Sequence, residues 1–162
     1  MIKEKELREA KTPIRYSDGK SITLASIQAA IQRETDAKGL PVKFCTDMVK
    51  YSGLGGGTED CLVLSHPNHE TDYLRLCIRV KHQGTYAFVS VDEFGTSKQL
   101  AIQNAREYSS DTIKHGSASE KFGALLGSGF RRLFKGKYDK KALEEEKTWY
   151  AVLYDVFKEL FK

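Results

Sequence analysis

Leu74, Leu76, Ile78 and Val80 alternate with Tyr73, Arg75, Cys77, Arg79 and Lys81, immediately before His82-Gln83-Gly84-Thr85. A period of two describes a strand with one apolar and one basic face. Residues 85–92 alternate again. With Gln83-Gly84 as a two-residue turn, Val80 faces Ala87, Ile78 faces Val89 and Leu76 faces Val91. The same register sets Lys81 beside Tyr86 and Arg79 beside Phe88. A hairpin patterned in this way needs a core against its apolar side.

The flanking segments supply that core. The charged opening to Ala10 reads as a short helix, and residues 13–21 as an extended segment turned by Asp18-Gly19. Thr23 is placed to cap a helix, with Ile22 and Ile27 as a hydrophobic staple and Leu24, Ile27 and Ile31 as its stripe, until Gly39-Leu40-Pro41 stops it. Strands over 42–51, 61–65, 73–82 and 85–92 are joined by short connections, which force antiparallel neighbours. Thr96 and Gln99 form a capping box for a helix to about Tyr108. Ser117 and Glu120 form another, followed by Phe122, Leu125, Leu126, Phe130, Leu133 and Phe134 at helical spacing as far as Lys135-Gly136-Lys137, and Asp139 caps the last helix. The expected fold is α+β: a four-stranded antiparallel β-meander flanked by helices, with a C-terminal helical hairpin. At 162 residues and 40% apolar composition the chain suits a single domain, with 1–112 as the helix and sheet core and 113–162 as the docked hairpin.

Composition narrows the chemistry. Twenty-six basic and 22 acidic residues give a net charge of +4, which permits nucleic acid without demanding it. Cys45, Cys61 and Cys77 are an odd set behind a charged start, read as reduced thiols of a cytoplasmic protein, and no apolar run is long enough to cross a membrane. Gly53-Leu54-Gly55-Gly56-Gly57 lacks the Gly-Lys-Ser/Thr of a phosphate loop, and a strand rather than a helix follows Thr58, so it reads as a hairpin loop and no nucleotide cofactor is expected. Cys61, His66, His69, Cys77 and His82 lack paired Cys-x-x-Cys spacing, and the parity of Cys77 opposes that of His82, so no metal site is expected. The cysteines lie within strands and no serine occupies a Gly-x-Ser-x-Gly elbow, so no catalytic residue is assigned.

Two surfaces remain as functional candidates. In the last helix Trp149, Tyr150, Val152, Leu153, Tyr154, Val156, Phe157, Leu160 and Phe161 span about 200° of the circumference, more than an ordinary amphipathic stripe. The leading expectation is therefore a small binding or accessory protein that meets another protein chain, itself included, through Trp149, Tyr150, Tyr154, Phe157 and Phe161. The alternative is single-stranded nucleic acid held by phosphate neutralisation and stacking on Arg75, Arg79, Lys81, Tyr86 and Phe88, extended by Arg131 and Arg132 at the hairpin turn. A third reading is enzymatic. His69-Glu70-Thr71 and His115-Gly116-Ser117 are both His-x-Thr/Ser, a pattern that resembles the paired motifs of the two-histidine phosphoesterase superfamily. The resemblance covers six residues and implies phosphodiester hydrolysis with His69 and His115 as acid and base.

Overall fold

Thr23 opens the first helix. Its hydroxyl accepts the Ser26 N–H at 3.1 Å, and the Ser26 hydroxyl accepts the Thr23 N–H at 2.9 Å. The helix α1 runs over Leu24–Ala37. It closes where the Leu40 N–H reaches the Thr35 carbonyl and the Gly39 N–H that of Asp36, with Gly39 at φ 65°. That pair of bonds is a Schellman cap, which needs the left-handed conformation glycine adopts without steric cost.

The computed structural model describes residues 1–97 and 139–161. The chain forms two compact units, Met1–Gly95 with Trp149–Lys162, and Thr96–Thr148. In the first unit the strands are β1 (Ile2–Lys3), β2 (Arg8–Tyr16), β3 (Lys43–Lys50), β4 (Thr58–Ser65), β5 (Arg75–Gln83) and β6 (Tyr86–Phe94). The final helix, α2 (Lys140–Leu160), begins in the second unit, where the Asp139 carboxylate accepts the Lys141 and Ala142 N–H groups, and its later turns belong to the first. The expected helices over 96–108 and 117–137, together with His115, Arg131 and Arg132, lie outside the described residues.

The fold is α+β, but its sheet is larger than a four-stranded meander. Six strands run in the order β1-β3-β4-β5-β6-β2, antiparallel except for β1 beside β3. The charged opening is not a helix. It forms β1, one 3-10 turn and the start of β2, because pairing with β3 and β6 outweighs local helix preference.

The central hairpin also differs in register by two residues. Its turn is Gly84-Thr85, so Val80 faces Val89, Ile78 faces Val91, Lys81 faces Phe88 and Arg79 faces Ser90. Gly84 has φ 61°, and a two-residue turn of this kind wants glycine first. A shift of two keeps the parity, so each side chain stays on the face its alternation indicates.

One sheet face carries Leu62, Leu64, Leu76, Ile78, Ala87, Val89 and Val91, all buried, with Ile27 and Ile31 of α1 and Leu153, Val156 and Phe157 of α2 also buried. The other face is concave. β1 and β2 are the two edges of the sheet, yet only residues 4–7 connect them, a reach of at most about 18 Å from Lys3 to Arg8. A flat six-stranded sheet would separate its edges by about 24 Å. The sheet therefore curls, enclosing Ile2, Val49, Cys61, Val63, Cys77 and Phe94, with Leu7 and Tyr51 packed against them.

Candidate functional site

The apolar arc of α2 is spent on the chain's own body. Trp149, Tyr150, Phe157 and Phe161 are 5%, 8%, 2% and 8% exposed. Trp149 Nε1–H donates to the Pro41 carbonyl at 2.9 Å and the Tyr150 hydroxyl to the Leu74 carbonyl at 2.5 Å. Tyr154 is half-buried, with its hydroxyl on Glu93; burial, then that carboxylate, raises its pKa. All five side chains expected to meet a second chain are thus buried or half-buried in the single chain. A helix apolar on two sides needs more than one covering, and its described contacts run to Pro41, Leu74 and Glu93 and, through Glu159, to Lys38 at the close of α1, 3.3 Å away.

The basic residues of β5 do share the concave face, and the curl gives them partners. Arg79 donates through Nε and Nη2 to Asp92 at 3.1 and 2.7 Å, and through Nη1 to the Tyr51 hydroxyl at 2.6 Å, with Glu59 at 3.7 Å. Tyr51 is bonded in turn to Glu59. Burial works to lower the Arg79 pKa, but the Asp92 bonds outweigh it and the net shift is upward. Lys81 Nζ lies 5.5 Å from the centroid of the Tyr51 ring, and the Arg75 guanidinium 4.4 Å from that of Phe94. Tyr86 is exposed, with Arg15 over its ring at 5.5 Å, and Phe88 is half-buried. Two carboxylates already answer the charge that phosphate readout would use on Arg79.

The other chemistry-bearing residues are divided among separate places. Cys61 and Cys77 are buried together; the Cys61 hydrogen bond and burial push the Cys77 thiol up. In the loop between β4 and β5, His69 Nδ1 is 3.0 Å from Asp72 and its ring stacks on Tyr73 at 4.2 Å. His66 sits 4.8 Å from His69, ring centre to ring centre, and meets the Trp149 ring edge-on; burial, then His69, lowers its pKa. His82 Nε2–H donates to the carbonyls of Gly19 and Ile22, anchoring the lead-in to α1. Among the described residues no group of three or more His, Cys, Asp or Glu side chains could hold a metal ion, and no helix is long and apolar enough to cross a membrane.

The feature that alternation does not disclose is the outer edge of β3. Tyr51 N–H donates to the Gly57 carbonyl, and β3 pairs with β4 without a break in register. The phase follows: residues 43, 45, 47 and 49 turn their backbone polar groups to β4, while Phe44, Thr46 and Met48 turn theirs away. β1 reaches only Val49 and Lys50. The Met48 N–H is taken by the Asp47 carboxylate at 2.7 Å, and Met1 closes that end with its ammonium 2.9 Å from the same oxygen. Those two contacts hold the Asp47 carboxyl below its ordinary range.

Among the described residues no strand pairs with residues 43–47 on this side. Lys43, Cys45, Thr46 and Met48 are exposed. Edges are usually blunted by proline, bulges or brevity. The opposite edge, β2, has Pro13 and two register shifts, and β1 has two residues, whereas β3 is regular. Along the open stretch the charged side chains are Lys43, paired with Glu70 at 2.6 Å, and Asp47, paired with the Met1 ammonium.

Comparison with known proteins finds no matching family model, no similar curated protein and no similar solved structure.

Proposed function

We propose that this chain is a binding or accessory protein that acts through protein contacts, and that its docking surface is the outer edge of β3. One observation carries the reading: the backbone groups of Phe44 and Thr46 face outward from a regular, exposed strand with no neighbour among the described residues. Strand addition uses such groups directly, main-chain hydrogen bonds supplying affinity and alternate side chains specificity. Two of the four large hydrophobic side chains that are exposed among the described residues, Met1 at 67% and Met48 at 43%, flank this edge and add apolar area to it.

The test is selection of extended peptides from a random library against the folded protein. Selected peptides should slow hydrogen exchange at the Phe44 and Thr46 amides. Thr46→Pro, which removes an outward N–H and no bond to β4, should weaken them at least about tenfold. Peptides that bind with full affinity to Thr46→Pro would contradict the edge as the docking surface.

A further inference from the structure

We infer that the strand taken up by this edge is β3 of a second copy of the chain, antiparallel about a two-fold axis at Cys45. The inference rests on the edge being a docking surface and names its occupant. The bounds of the edge determine the register. Met1 and β1 occupy it beyond Asp47, and Pro41, which has no N–H, precedes the strand at the other end. Among the described residues the free stretch is therefore 43–47, whose centre is Cys45.

Antiparallel pairing about that centre matches every outward group. Phe44 of each copy stands opposite Thr46 of the other, and because both turn their N–H and C=O outward, the two pairs make four backbone hydrogen bonds. Lys43, whose Nζ is 2.6 Å from Glu70 of its own chain, stands opposite Asp47, which meets the Met1 ammonium, so each cross-copy pair joins two basic and two acidic groups in one cluster. Met48 falls opposite the half-buried Val42 of the other copy, covering an apolar side chain that is 43% exposed in the single chain. Moving the centre to Thr46 would set residue 43 of one copy where Ile2 already pairs with Val49 of the other. Cys45 meets its own counterpart as a non-hydrogen-bonded pair, where α-carbons lie about 4.5 Å apart, within the range of about 4.4–6.8 Å that a disulfide spans.

The test is light scattering on the full chain and three variants, with thermal melting to confirm that each is folded. The wild type is expected to dimerise as concentration rises. Lys43→Glu sets a carboxylate against the Asp47 carboxylate of the other copy and against Glu70 of its own chain, Asp47→Lys sets an ammonium against that of Lys43 and releases Met1 and the Met48 N–H, and each should weaken the dimer by about tenfold or more. Mixed in equal amounts, these two variants restore both opposite-charge pairs and should form a heterodimer near the wild-type affinity. Thr46→Pro should stay monomeric. Glutathione disulfide gives an independent readout: two Cys45 thiols give up two protons and two electrons to form one S–S bond, and the reagent is reduced to two glutathione thiols. The covalent dimer should form quickly in the wild type, slowly in either charge variant and quickly again in their mixture.

A wild type that stays monomeric up to its solubility limit overturns the self-pairing, as does a dimer indifferent to the charge exchange and to Thr46→Pro. If the chain is monomeric but selected peptides still protect Phe44 and Thr46, the edge serves a different protein and only the second-copy assignment falls. If they protect neither amide, the docking surface falls with it.

Discussion

At the scale of single residues, the concave face is governed by Arg79. Its side chain is 18% exposed and that of Asp92 8%, so Arg79→Ala would leave a carboxylate buried without its cation. Breaking such a pair costs about 3–5 kcal/mol, and the urea midpoint should fall accordingly; a loss below about 1 kcal/mol would mean water already solvates the network. His66 makes a pH prediction. Burial and His69 lower its pKa in the folded chain, so over the interval between its folded value and the ordinary 6.5 the unfolded chain binds more protons. Stability is then fully present above about pH 6.5 and declines as the pH falls through the folded value, and His66→Gln should flatten that decline in thermal melts. Alternation made the shared parity of Arg75, Arg79 and Lys81 legible. It could not disclose the partners of Arg79, because Tyr51, Glu59 and Asp92 reach it from beyond β3, from β4 and from β6, through pairings distant in sequence.

At the scale of elements, the two helices make different demands. The cap of α1 is local, visible as Thr23 ahead of an apolar stripe, and Thr23→Ala should cost about 1 kcal/mol by denaturant titration. The arc of α2 was equally visible, but its occupant was not, since a wide apolar face reads alike whether the chain's own sheet or another chain covers it. Burial decides between them: Phe157→Ala should destabilise the fold by about 3–5 kcal/mol without acting on strand pairing at β3. The hairpin register follows the same division. Parity came from alternation, whereas the two-residue offset came from where Gly84 could take positive φ. The first sixteen residues were the least legible, because charged side chains at the edges of a curled sheet leave little apolar period to read.

At the scale of the whole molecule, the curl of the sheet creates the open edge on which the proposed docking surface rests. Bringing β1 and β2 within the reach of residues 4–7 gives the concave face its own core, but a two-residue β1 protects only the last part of β3. What remains is a regular strand segment with four outward backbone groups, too far from β1 in sequence for alternation to reveal that it lacks a neighbouring strand among the described residues. The most direct measurement is residue-resolved amide hydrogen exchange in dilute solution across β3. Cys45 and Asp47, bonded to β4, should exchange slowly, while Phe44 and Thr46 should exchange near unprotected rates and slow when a partner strand is supplied. Equal, slow exchange at all four positions in the dilute chain would show that the edge is already covered and would contradict the account.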